Sequence, residues 1–469
     1  MMMETPPTDR WEIVTRNDAA VQQALERGEC DGLLPDAWGG PDDLLHLGLE
    51  LGLFDQFADF PDRRRRRTHP HAAYCKVLLA GLLLDQRSLE EIGHVLFSSA
   101  VVLDRFGFNV RGTRGGGVRT GDARPFDMEA VADYFDLLGP DDYAGHQRTL
   151  SGWLRGHPAL RGRLFALDCV DARLPNGHHA TERHWKTAVL SVITQQGTFP
   201  LLWRFGAAPA TGDITLARPL VAEARAAWGE GALGTLLLDA GFVDGAWLRA
   251  LADAGVRVLV RLRETMDPVQ AALAAAVTRT DWQAAPLPRR RERPGKSPLV
   301  RRELVGVTDW PGWDAYGRDL ALCLVRDTAA DGTVTCWAIM STDLALTARQ
   351  MYDLFRHRWD IEEQFMALAR YHYFNALGAC RDGVALAKLH FLLLAYTARA
   401  LCYALADAQE QAAGRRRPWR QFITRFIVYW GPYYAIFLPS VVMTAFLRYP
   451  ERWQASREEV LAAIRYLET

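Results

Sequence analysis

Two short apolar runs in the middle of the chain each end in an acid: Phe165-Ala166-Leu167 runs into Asp168, and Thr235-Leu236-Leu237-Leu238 runs into Asp239. Brief apolar runs bounded by turn or helix signals read as buried strands. Between and after them come further strand signals, residues 187–194, 199–205 and 256–262. The turn-like Gln195-Gln196-Gly197 separates the first two. Helical stretches fall between the strands, one from Asp213 to about Trp228 and one capped by Asp244 and running to Ala254. The order β-β-β-α-β-α-β predicts a mixed sheet carrying helices, an α/β core.

The flanks read differently. Residues 42–108 and 127–154 repeat leucines and valines at helical spacing, with Leu44, Leu47 and Leu51 as one stripe, so residues 1–155 read as an all-helical domain. Its first 40 residues read as loose. The core is expected in two parts, 156–263 and 346–410, around a β-rich insertion at 264–345, and a C-terminal region follows at 411–469. Asp331-Gly332 marks a hairpin inside the insertion. Residues 346–376 read as one long helix, and 384–408 as a second, very apolar one.

Charge narrows the partners. Lys and Arg total 55 against 56 Asp and Glu, so affinity for a polyanion has to come from local patches. The odd count of 7 cysteines contains no C-x-x-C pair, which favours free thiols in a reducing cytosol. No secretory leader is read at the start, and a cytoplasmic location is expected. Residues 426–447 carry no formal charge and are long enough to span a bilayer, but Gly431, Pro432 and Pro439 interrupt them. Buried core is the expected reading, with no membrane partner.

Several familiar patterns lack their context. Gly229, Gly231 and Gly234 spell G-x-G-x-x-G, but after a helix and before a strand, the reverse of a dinucleotide turn. His178, His179 and His184 lie in a polar stretch without metal-site spacing. The acids are more informative. Either aspartate alone can simply cap a turn; on neighbouring strands they meet at one end of a sheet. Glu362 follows on a helical pattern with Phe355, Arg358 and Ala369 on its face, and it pairs equally well with Arg358 alone. Converging carboxylates repel, and a hard cation such as Mg²⁺ relieves them.

Three passages, FALDCVDARL, LLLDAGFVDGAWLRALADAGVRVLVRLR and FRHRWDIEEQFMAL, together resemble the DDE transposases of bacterial insertion sequences. They are most similar to the IS-four-type branch, in which a β-rich insertion separates the second aspartate from the glutamate. The resemblance covers about residues 160–400. It implies an RNase-H-like core, with Asp168, Asp239 and Glu362 as catalytic residues and as ligands of two Mg²⁺ or Mn²⁺ ions. Asp171 is the alternative first ligand. Arg358 matches the arginine of the family's Tyr-Arg-Glu-Lys signature. Phe355 stands at its tyrosine without the hydroxyl, and Ala369 at its lysine, with Arg370 next to it.

The implied activity is cut-and-paste transposition: metal-dependent cleavage at transposon ends, then strand transfer of the 3′-hydroxyl into target DNA. The partners are double-stranded DNA, as terminal inverted repeats and as target, and a second copy of the chain, at the nucleoid. Arg358, Arg370 and Phe355 are expected to touch DNA, as are Arg63, Arg64, Arg65, Arg66, Arg67, Arg289, Arg290, Arg291, Arg301 and Arg302. Arg111, Arg114, Arg119 and residues 415–417 are further phosphate candidates. Trp282, Trp310, Trp313 and Trp337 lie in the insertion, where the family stacks a tryptophan on a flipped base. Two alternatives stand beside this reading: a domesticated, catalytically impaired DNA-binding protein, and a metal-dependent nuclease that cuts without joining.

Overall fold

The structure, a computed structural model, describes residues 15–30, 32–36, 39–66, 69–86, 88–96, 127–173, 184–208, 211–287, 297–310, 313–371, 381–412, 425–431 and 433–437, with positions 442, 445 and 448. The chain forms two compact units, residues 139–380 and residues 1–138 with 381–469.

In the 139–380 unit the strands are β1 (Leu164–Arg173), β2 (His184–Thr194), β3 (Gly197–Ala208), β4 (Thr235–Leu238), β5 (Arg257–Leu262), β6 (Gln283–Ala284), β7 (Leu299–Trp310), β8 (Leu320–Ala329) and β9 (Val334–Ser341). The helices are α1 (Pro140–Gly156), α2 (Asp213–Trp228), α3 (Gly245–Asp253), α4 (Asp267–Ala276), α5 (Ala348–Arg356) and α6 (Arg358–Tyr371). All nine strands join one sheet in the order β3-β2-β1-β4-β5-β9-β8-β7-β6. β1, β4 and β5 run parallel and their neighbours antiparallel. With α2 and α3 in the connections, β3-β2-β1-β4-β5 is the mixed α/β sheet of an RNase-H-like core.

Local chemistry explains the elements. Central strands buried on both faces need unbroken apolar runs, and Phe165 to Leu167 and Leu236 to Leu238 are all 0% exposed. The Asp244 side chain accepts from the Trp247 amide at 2.8 Å and starts α3. Gly332, at φ 84°, turns β8 into β9 as the Asp-Gly signal predicts. Residues 264–345 do not form a separate sheet: Ala338 to Ser341 pair antiparallel with Leu259 to Leu262, so the insertion extends the core sheet.

The helix expected over 346–376 is two helices among the described residues. At His357 the backbone bonds shorten to three-residue spacing, His357 N–H to Leu354 and Asp360 N–H to His357. The His357 ring lies 2.9 Å from the Asp360 carboxylate. α6 therefore begins at Arg358, placing that side chain in its first turn.

In the other unit, helices Gly39–Glu50, His71–Leu83, Leu89–Leu96 and Met128–Asp136 accompany the long Asp382–Ala412. Phe57, Phe60, Phe135 and Phe391 form its aromatic centre, with ring centroids 5.4 to 5.8 Å from Phe391. Residues 15–36 differ from the loose segment expected. Asp18–Glu26 is a helix, and Thr15–Arg16 and Gly32–Asp36 flank the Arg425–Trp430 and Tyr433–Phe437 hairpin in a four-stranded sheet. The uncharged 426–447 stretch is thus strand over its described first part. Among the described residues one helix, Asp382–Cys402, is long and apolar enough to cross a membrane, and 83% of its apolar window is buried.

Candidate active site

β1 and β4 pair in register up to Leu167 opposite Leu238, so Asp168 and Asp239 come next on adjacent strands. Neighbouring strands lie about 4.8 Å apart. Asp168 is not at a strand end, as the sequence predicted, but mid-strand: β1 continues to Arg173 against β2 while its parallel partner stops. The two acids are held alike. Asp168 Oδ1 accepts from the Cys169 amide at 2.8 Å, and Asp239 Oδ1 from the Ala240 amide at 2.7 Å. Side chains alternate along a strand, so Asp171, the alternative ligand, falls on the opposite face of β1 from Asp168, level with Lys186 of β2.

Glu362 comes to these acids on α6, which packs against β1 and β3. Between them lies Arg358. Its Nη2 donates to Glu362 Oε1 at 2.5 Å, and its Nη1 lies 3.8 Å from Asp168 Oδ2, an ion pair beyond hydrogen-bond length. The guanidinium is 6% exposed, with Trp359 at 4.9 Å beneath it. Its Nε is buried and donates to nothing among the described residues.

Burial pushes the Asp168 carboxyl up to about 6. The Cys169 amide and Arg358 pull it back, and the charges of Asp239 and Glu362 push it further up. Asp168 therefore lies within electrostatic reach of the other two acids. The sequence reading assigned relief of their repulsion to divalent ions alone; the fold supplies an arginine as well. Among the described residues, no three His, Cys, Asp or Glu side chains close tightly enough to hold a metal ion as they stand.

A cavity of about 930 Å³ opens beside Glu362 and Arg358, lined also by Phe355, Trp337, Arg302 and Arg261. Its far wall is a network the sequence reading missed. Arg302 of β7 and Asp327 of β8 are directly opposed in register and meet bidentately, both contacts at 2.5 Å. Arg302 also donates to the Tyr352 hydroxyl at 2.9 Å, and Trp337 Nε1 to Asp327 at 3.2 Å. The available signal was an aspartate inside the apolar run LALCLVRDTA, where a charge needs a partner.

The expected DNA contacts divide. Arg63, Arg65 and Arg66 are exposed. Arg301 is 66% exposed and pairs with Glu303. Arg64 and Arg302 are internal ties. Arg64 grips Asp62 at 2.9 Å and the His69 carbonyl, and lies over the Tyr74 and Tyr134 rings. Phe355, without a hydroxyl, is 4% exposed and packs in the cluster of Met351, Tyr352 and Ile361. Arg67, Arg289, Arg290, Arg291, Arg111, Arg114, Arg119, residues 415–417 and the Arg370 side chain lie outside the described residues, as do His178 and His179. Of the insertion tryptophans, Trp282 lies 4.2 Å under Arg326 and Trp313 stacks on Tyr316.

A family model described as the transposase DDE domain matches residues 161–398, just over half of the chain. No curated protein matches it.

Proposed function

From the membership of this chain in the transposase DDE-domain family, we propose that it is a cut-and-paste DNA transposase with Asp168, Asp239 and Glu362 as its catalytic acids. The family carries out phosphoryl transfer on DNA and is generally dependent on divalent metal. The observation that carries the assignment is geometric: Asp168 and Asp239 follow registered positions of adjacent strands, and Arg358 lies against both Asp168 and Glu362. Hard carboxylate oxygens are the donor chemistry that Mg²⁺ or Mn²⁺ takes, and we assign these three residues to hold two such ions once they draw closer. When bound, the metal supplies Lewis-acid activation of water, then of the DNA 3′-hydroxyl, and stabilises the leaving oxygen.

The chain's own groups prepare that site. The Cys169 and Ala240 amides fix the carboxylate orientations from below. The α6 backbone presents Glu362 towards Asp168, and the adjoining cavity offers guanidinium and aromatic surface to a DNA strand. The exposed Arg301 offers phosphate contact in this unit, and the exposed Arg63, Arg65 and Arg66 offer it in the other. Residues 1–155 would read the transposon ends, with two copies of the chain pairing them.

The test is cleavage and joining of DNA carrying the element's inverted repeats. Asp168→Ala, Asp239→Ala and Glu362→Ala should each lose cleavage and keep end binding; unchanged cleavage in all three rejects the assignment. Joining of pre-cleaved ends separates a transposase from a nuclease. End binding without cleavage in Mg²⁺ or Mn²⁺ would identify a domesticated binder.

A further inference from the structure

Arg358 does more than neutralise a helix surface. It enters at the first turn of α6, and its guanidinium is buried between two acids that come from a strand and a helix nearly two hundred positions apart in the sequence. It gives one short bond to Glu362 and a longer ion pair to Asp168, and leaves its buried Nε without an acceptor among the described residues. Its hold on the two acids is uneven, close on Glu362 and beyond hydrogen-bond length from Asp168.

We infer that Arg358 is an internal counter-ion that competes with divalent metal for Glu362 and Asp168, and so sets the metal concentration at which the site loads. The inference rests on the assignment of those acids as metal ligands. A metal ion shared by Glu362 and Asp168 would meet the positive charge of the guanidinium at close range, so Arg358 opposes loading while it stays between the two acids. Arg358 is thus a positioning residue, acting on the reaction through Glu362.

The experiment measures Mn²⁺ binding to the full chain without DNA, by the free-ion paramagnetic resonance signal, so no activity is read. Arg358→Gln should bind Mn²⁺ about tenfold or more tightly than the unaltered chain, since a charge-assisted bond no longer opposes it. Arg358→Lys keeps the charge but loses the fork that reaches both acids, and should fall between the two. It also keeps the test open if the glutamine variant does not fold, which a thermal melt reports. Arg356→Gln removes an exposed charge two residues away, at the end of the preceding helix, and should change affinity no more than about twofold. Equal tightening in the Arg356 and Arg358 variants would show a bulk charge effect and overturn the inference, as would unchanged affinity in both Arg358 variants. Asp239→Asn separates the two readings. If it leaves Mn²⁺ binding intact, the ligand assignment itself fails; if it abolishes binding while the Arg358 variants bind like the unaltered chain, only the counter-ion inference fails.

Discussion

Two buried arginines a short way apart in one unit have been given opposite surroundings. Arg302 is 12% exposed and has found a full set of partners: both Asp327 oxygens, the Tyr352 hydroxyl, and the Trp337 ring 5.6 Å away. Arg358 is 6% exposed, yet it holds one acid closely, another at 3.8 Å, and leaves Nε without an acceptor among the described residues. Register explains the first. Residues directly opposed on antiparallel strands are placed before any side chain adjusts. The second bridges a strand and a helix, so its geometry depends on how α6 sits. Two short bonds to one acid make Arg302 a structural tie, whereas Arg358, shared unevenly between two acids, is the one inferred to give way to another cation.

That contrast is open to breaking. The largest effect is expected at the closed pair. Asp327→Ala strands a buried guanidinium and should cost about 3–5 kcal/mol in denaturant unfolding. A loss under about 1 kcal/mol would show that Arg302 is as exchangeable as Arg358. Next comes Asp168. Burial raises its folded-state value from 3.8 to about 6, so the fold favours the protonated acid. That advantage is whole below about pH 4 and lost as pH climbs through about 6. Asp168→Asn, neutral at every pH, should therefore stabilise the chain by about 2 kcal/mol near pH 8 and by almost nothing near pH 3. Equal gains at both values would mean that the acid is not held in its neutral form by burial.

Smaller still is Arg358→Gln. It removes a charged bond but also an unsatisfied buried donor, and should lower stability by about 1 kcal/mol, well below the Asp327 change. An equal or larger loss would make Arg358 a structural tie. The smallest effect belongs to Arg301→Gln. Arg301 is exposed and its buried partner Glu303 keeps Arg326 at 2.8 Å, so the loss should be about 0.5 kcal/mol. Reduced DNA binding in this variant, with the melting temperature unmoved, would sharpen the difference between outward Arg301 and inward Arg302.

Much of the fold was legible because its signals are local. The run before Asp239, the Asp244 cap and the Asp331-Gly332 turn each depend on a few consecutive residues and appear as read, while the run before Asp168 is a strand that continues past it. Residues 15–36 were not, because Thr15–Arg16 and Gly32–Asp36 are strands through pairing with residues beyond 424, which no local window contains. In the arginine patches, composition gave the charge but not the direction. Arg301 and Arg302 are neighbours on β7 and point to opposite faces, so one meets solvent and the other Asp327.

The order of strands and helices, the three acids with Arg358 one turn before Glu362, and the family are written in consecutive residues, since periodicity, capping and short motifs act over a few positions. Which guanidiniums turn inward, the face that excludes Asp171, the break at His357 and the wedging of Arg358 between Asp168 and Glu362 exist only once distant segments meet. Burial and Coulomb energy depend on distance in space, and spacing along the chain does not specify that distance.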